Sequence, residues 1–146
     1  MKRQRTIARK GFTMIELMAM LIIIGLLATL VVTKVADQID KARVTTTKVN
    51  LKTLHQKIVE FKMDNQRYPT EEEGLEALIV QPSDVTNYPP DGYLDTSEVP
   101  TDAWGNDFYY ELDPETGGKF RIVSWGADGE EGGEGYDADL YSTDAN

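Results

Sequence analysis

Twenty-one consecutive residues, Phe12 to Val32, read FTMIELMAMLIIIGLLATLVV and carry a single charge, Glu16. At about 1.5 Å per helical residue such a run matches the roughly 30 Å hydrocarbon core of a bilayer, so it predicts a membrane segment. Beyond it, residues 35–65 contain neither Gly nor Pro. Their apolar positions recur at i, i+3 and i+4, the period of an amphipathic helix. Leu51, Leu54, Ile58 and Phe61 fall on one stripe, and Lys48, Lys52, Lys57 and Lys62 lie off it. The two patterns join into one predicted helix of about 52 residues, about 78 Å long. Its first half must stay in lipid or pack against copies of itself, and its second half has a stripe suited to covering a sheet. Thr45, Thr46 and Thr47 lower helix propensity in the middle of this span.

The pattern breaks at Pro69. RYPTEEEGLEALIVQP predicts a chain reversal and a short helix, with Thr70 as N-cap and Glu73 three residues on as its reciprocal partner. Leu75, Leu78 and Ile79 would face the core, and Pro82 ends the helix. Residues 83–106 are dense in turn formers. DFYYEL and KFRIVSW, separated by DPETGG, then alternate aromatic and β-branched residues as an antiparallel hairpin does. The expected fold class is α+β: a long N-terminal spine helix, membrane-spanning in its first half, on a small antiparallel sheet. Trp104 and Trp125 are expected to fill the core, and lone His55 to lie at its boundary.

Charge sharpens this picture. Residues 1–11 hold five basic groups and no acid, whereas residues 64–146 hold three basic and 21 acidic ones, within a chain of net charge −10. Basic residues before a span hold that end in the cytoplasm, so the acidic part is expected outside. A strongly acidic domain repels phosphate, which excludes nucleic acid as a partner. No cysteine is present, so an exported domain of this size must be held without disulfides. The apolar run is longer than the 7–15 residues of a signal peptide, and no small-x-small cleavage site follows it.

Glu16 remains to be explained, because a carboxylate in a lipid-facing helix costs about 2.5–3.5 kcal/mol and needs a partner. An α-amino group created by cleavage before Phe12 would supply one. The basic leader, Gly11, FTMIE and the uncharged run together resemble the class III signal of type IV pilins and type II secretion pseudopilins. That resemblance implies cleavage between Gly11 and Phe12 by a prepilin peptidase, N-methylation of Phe12, and pairing of Glu16 with a neighbouring subunit's terminal amine during assembly. Thr33 stands where the family often has proline, so no proline interrupts residues 12–63. RYPTEEEGLEAL, DAWGN and SWGADGEEGGEGYDADL narrow the resemblance to the major pseudopilins of type II secretion, with Ala103 in place of the usual proline. The resulting organisation is a cleaved leader at 1–11, a transmembrane and polymerisation helix at 12–35, and a periplasmic globular domain at 36–146.

GADGEEGGEGYDADL is the second informative stretch. By composition alone it is either a solvated acidic segment or a wrapper for a hard cation, since Ca²⁺ takes six to eight oxygen ligands. It does not fit the EF-hand pattern, which wants Asp or Asn where Glu130 and Gly132 stand. The resemblance implies calcium, held by the side chains of Asp128, Asp137 and Asp139 and the backbone carbonyls of Trp125 and Glu130. It further implies a non-enzymatic subunit of a helical homopolymer that drives export of folded proteins. Its partners would be copies of itself, other pseudopilins, the inner-membrane secretion platform and the prepilin peptidase. A surface type IV pilin is the alternative, but such pilins usually close their C-terminal region with a disulfide. An enzyme would need a constellation that one histidine, no cysteine and ordinary serines do not provide.

Overall fold

A computed structural model describes residues 11–113 and 119–144, without the side chains of residues 30–34 and 113. The leader's first ten residues and the hairpin tip at 114–118 therefore lie outside the described residues. The element order is one α-helix (α1, Met14–Asn65), a 3-10 helix (Gly74–Leu78) and three strands: β1 (Tyr109–Asp113), β2 (Lys119–Ser124) and β3 (Leu140–Tyr141). The chain divides into two compact units with the boundary after Gln38.

In the first unit every large apolar side chain described from Phe12 to Leu27 is exposed. Among the described residues no helix is long and apolar enough to cross a membrane. The run that predicts a span from the sequence continues through residues 30–32, whose side chains are outside them.

In the second unit the helical stripe is buried as its period predicts, with Leu51, Leu54, Ile58 and Phe61 all 0% exposed. Each such burial contributes roughly 1.5–3 kcal/mol. They meet Leu75 and Leu78 of the 3-10 helix, Tyr93 and Leu94 of the long loop, and Phe108, Phe120 and Ile122 of the sheet region in one core. The threonines do not break the helix. Thr45 and Thr53 return their hydroxyls to the carbonyls of Lys41 and Val49, and Thr47, fully buried, accepts a hydrogen bond from Ala103 N. α1 ends where Gln66 enters the left-handed region at φ 59°, its N–H bonding Lys62 O at 2.8 Å.

The capping box forms as read: Glu73 N donates to Thr70 Oγ1 and Thr70 N to Glu73 Oε2. No α-helix follows it. Gly74 sits at φ +52°, which ends the first turn, and only the five-residue 3-10 helix continues. Arg67 straps this turn with a bidentate bond to Glu73 and a second carboxylate, Asp84. That guanidinium holds Glu73 below the usual carboxylate range, and Arg67 is itself raised.

β1 and β2 pair antiparallel with Tyr109 opposite Val123 and Glu111 opposite Arg121, and the latter pair forms a cross-strand salt bridge. β3 adds to the other side of β2. The tryptophans correct the sequence expectation, since neither belongs to the core. Trp125 follows the last residue of β2 and stacks on half-exposed Tyr109 with centroids 3.6 Å apart, while Trp104 is half-buried in the turn after Asp102.

Candidate functional site: the helix start and the acidic loop

Gly11 and Phe12 precede the first turn of α1, with Phe12 74% exposed. Glu16 has a partner in its own helix: its Oε2 accepts from Thr13 N at 3.1 Å and from Thr13 Oγ1 at 3.2 Å, while Glu16 N donates back to Thr13 Oγ1. Thr13 is thus the N-cap and Glu16 the third helical residue of a capping box. T-x-x-E was legible at positions 13–16, just as it was at 70–73. Both bonds to the side chain use Oε2. The carboxylate also lies in the first turn, where the helix dipole favours negative charge.

The acidic loop, residues 125–139, is folded by its own backbone. Ala127 N bonds Tyr136 O, and Asp137 N bonds Glu134 O. Asp128 Oδ1 accepts from Glu130 N at 3.1 Å. Asp139 reaches across the loop, its Oδ1 accepting from Gly132 N and its Oδ2 from Tyr141 Oη. Gly126 and Gly133 close on the Asp137 peptide: a Cβ at either would stand 2.6 Å from Asp137 O, and both have positive φ. Only glycine fits there.

Asp128, Asp137, Asp139 and the carbonyls of Trp125 and Glu130 make an all-oxygen donor set, the type a hard cation takes. The donor chemistry fits calcium, but the arrangement does not yet gather it. Among the described residues no three His, Cys, Asp or Glu side chains are grouped to hold a metal, and two of the three aspartates are turned to backbone N–H groups of the loop.

Composition and spacing alone left undetected what supports this loop. Asp102 is 5% exposed. Its Oδ1 accepts from Trp104 N and Asn106 N, and its Oδ2 accepts from Ser124 Oγ at 2.7 Å. Asn106 Nδ2 in turn donates to Gly126 O at 3.0 Å, and Gly126 N to Ser124 Oγ at 3.4 Å. Together with Ala103 N on Thr47, the DAWGN turn ties α1, the end of β2 and the acidic loop to one another. Where β2 faces α1 through Ser142, His55 Nδ1 lies 3.2 Å from Ser142 Oγ, which accepts from Ile122 N. The hydroxyl proton is then available to neutral His55. Burial lowers the histidine's pKa below its ordinary 6.5.

A spine helix with an apolar, capped start and a small antiparallel sheet packed on its second half defines a pilin-like structural subunit. Residues 34–143 match the family described as Type II secretion system (T2SS), protein G. The chain belongs to that family, whose members are structural pseudopilin subunits and not enzymes. It is 42% identical over 139 residues to the type II secretion system core protein G of Pseudomonas aeruginosa, covering 93% of this chain and 96% of that one. To the core protein G of Vibrio cholerae it is 38% identical over 142 residues, covering 96% and 94%. Among solved structures it is similar to the major pseudopilin from the type 2 secretion system of enterohaemorrhagic Escherichia coli. That likeness has a TM-score of 0.57 at 34% identity and covers 70% of this chain and 83% of that one.

Proposed function

We propose that the chain is anchored in the inner membrane by residues 12–35, is cut after Gly11, and polymerises through the same helix into a periplasmic pseudopilus that drives folded proteins across the outer membrane. The observation that carries this is the run of exposed large apolar side chains between Phe12 and Leu27, around one carboxylate. Lipid covers that row before assembly and neighbouring helices cover it in the fibre. Glu16 sets register. Its Oε2 caps its own helix, and Oε1 is left for the amine of a neighbour's Phe12, so a misaligned subunit leaves a buried charge unpaired. The prepilin peptidase, other pseudopilins and the inner-membrane platform are the partners this role requires.

Calcium belongs to the same proposal. Asp128, Asp137 and Asp139, with the carbonyls of Trp125 and Glu130, would hold the ion, which supplies charge neutralisation to a loop whose carboxylates otherwise repel. A ligand that binds only the folded state adds about 2.7 kcal/mol at 100 times its Kd. Residues 36–146 should therefore melt several degrees lower in chelator, and Asp128→Ala should remove the difference. The polymerisation claim is tested by complementing a strain that lacks its own G subunit. Wild type should restore export of the secreted protein and Glu16→Ala should not; normal export by Glu16→Ala would refute the register role.

A further inference from the structure

Within the second unit, charge is segregated. Residues 39–65 of α1 carry six basic residues and three acidic ones, whereas residues 66–146 carry Arg67, Lys119 and Arg121 against 20 acidic residues. A solvent-facing flank of the helix, beside the buried stripe, presents exposed Lys48 and Lys52, one turn apart. Exposed Val49 lies beside them and exposed Val59 about two turns further along the same flank. Neither lysine forms an ion pair among the described residues, in contrast to Lys57, which holds Glu60.

The complementary surface is on the same domain. A cleft of about 440 Å³ runs between the 3-10 helix and β1. It is lined by buried Leu75 and Phe108 and by exposed Glu71, Glu76, Glu98 and Asp107. These four carboxylates have no salt-bridge partner among the described residues, whereas the domain's own cations Arg67 and Arg121 are engaged by Glu73, Asp84 and Glu111. The domain thus has a cleft of mixed apolar and polar lining edged with carboxylates, and a helix flank that carries two exposed lysines with Val49 and Val59 beside them. The two cannot meet within one chain, because the helix already turns its other side to the core.

We infer that this cleft docks a second copy of the chain, receiving the Lys48 and Lys52 face of that copy's helix. The inference rests on polymerisation, and it assigns which surface of each subunit meets the next outside the apolar helix starts. Opposite charges would fix the rotation of successive subunits, while the apolar side chains between them give the contact its area.

Reversal of charge in the full-length protein tests it. Lys48→Glu with Lys52→Glu, and separately Glu76→Lys with Glu98→Lys, should each cut the sheared fibre recovered from cells by about tenfold, since each places like charges in contact. Combining all four should restore it. In the cysteine-free chain, Lys52→Cys with Glu98→Cys should give an oxidised ladder of dimers and higher species, and Lys52→Cys with Thr143→Cys should not. Undiminished fibre in both reversal pairs, or absence of the Lys52–Glu98 ladder in fibres that form normally, overturns the docking site and leaves polymerisation standing. Fibre absent even from wild type overturns both.

Discussion

Removal of the Asp102 carboxylate should be among the most damaging single changes in the globular unit. It is a buried acceptor for three donors: Trp104 N, Asn106 N and the hydroxyl of fully buried Ser124. Asp102→Ala leaves all three without that partner. A buried donor without a partner costs about 1–3 kcal/mol. Ser124 takes the upper part of that range, while the two backbone groups, in half-buried residues, recover part of theirs from water. The expected loss is about 3–4 kcal/mol, and at roughly 4 °C per kcal/mol for a domain of this size it lowers Tm by about 12–16 °C. Asp102→Asn keeps the shape and one acceptor oxygen for the two N–H groups, and turns a donor toward Ser124. Its loss should be near 1 kcal/mol. Urea and thermal unfolding of residues 36–146 measure both. Because Asn106 and Ser124 also hold Gly126, amide exchange at Gly126 and Ala127 should accelerate more than at Leu54. Asp102→Ala within about 1 kcal/mol of wild type, with unchanged exchange in the loop, would refute the role given to this turn.

Two further outcomes follow from the same geometry. Gly126→Ala at φ +66° would drive a Cβ to 2.6 Å from Asp137 O, so it should destabilise the domain by about 1–3 kcal/mol by strain alone, read as a lowered urea midpoint; a neutral result would mean the loop relaxes freely. Burial lowers the folded pKa of His55 below the ordinary 6.5. The unfolded chain therefore binds its proton more tightly, and this contribution is complete above about pH 6.5 and is lost as pH falls through that value toward the lowered folded pKa. Melting of wild type and His55→Gln between pH 5 and 8 should show a smaller acid-side decline in the variant, and parallel curves would contradict the assignment.

The helical half of the fold was legible because its signals are local and periodic. One stripe at 3.6-residue spacing places Leu51, Leu54, Ile58 and Phe61, and the alternation of DFYYEL and KFRIVSW places β1 and β2. What escaped was decided at long range. Trp125 looked like core by its size, but it follows the end of β2 and finds Tyr109 at the sheet edge instead. β3 is two residues long and pairs only because the acidic loop returns Leu140 and Tyr141 to β2, so it has no period to read. Thr47 was legible as a weak helix former and not as a buried acceptor, because its partner, Ala103 N, is 56 residues away. At the helix start the spacing T-x-x-E contains a local partner for Glu16, Thr13, beside any intersubunit cation. The two roles are compatible, since both bonds from Thr13 fall on Oε2 and a carboxylate offers about four acceptor sites.

The proposed second role of Glu16 makes the most direct test structural. In a reconstruction of fibres sheared from cells expressing the wild-type chain, Glu16 should lie within ion-pair distance, about 4 Å, of the terminal amine of a neighbouring Phe12, with residues 12–32 of successive subunits packed around the fibre axis. Fibres whose Glu16 meets only its own Thr13, or whose axis is not built from these helices, would contradict the account.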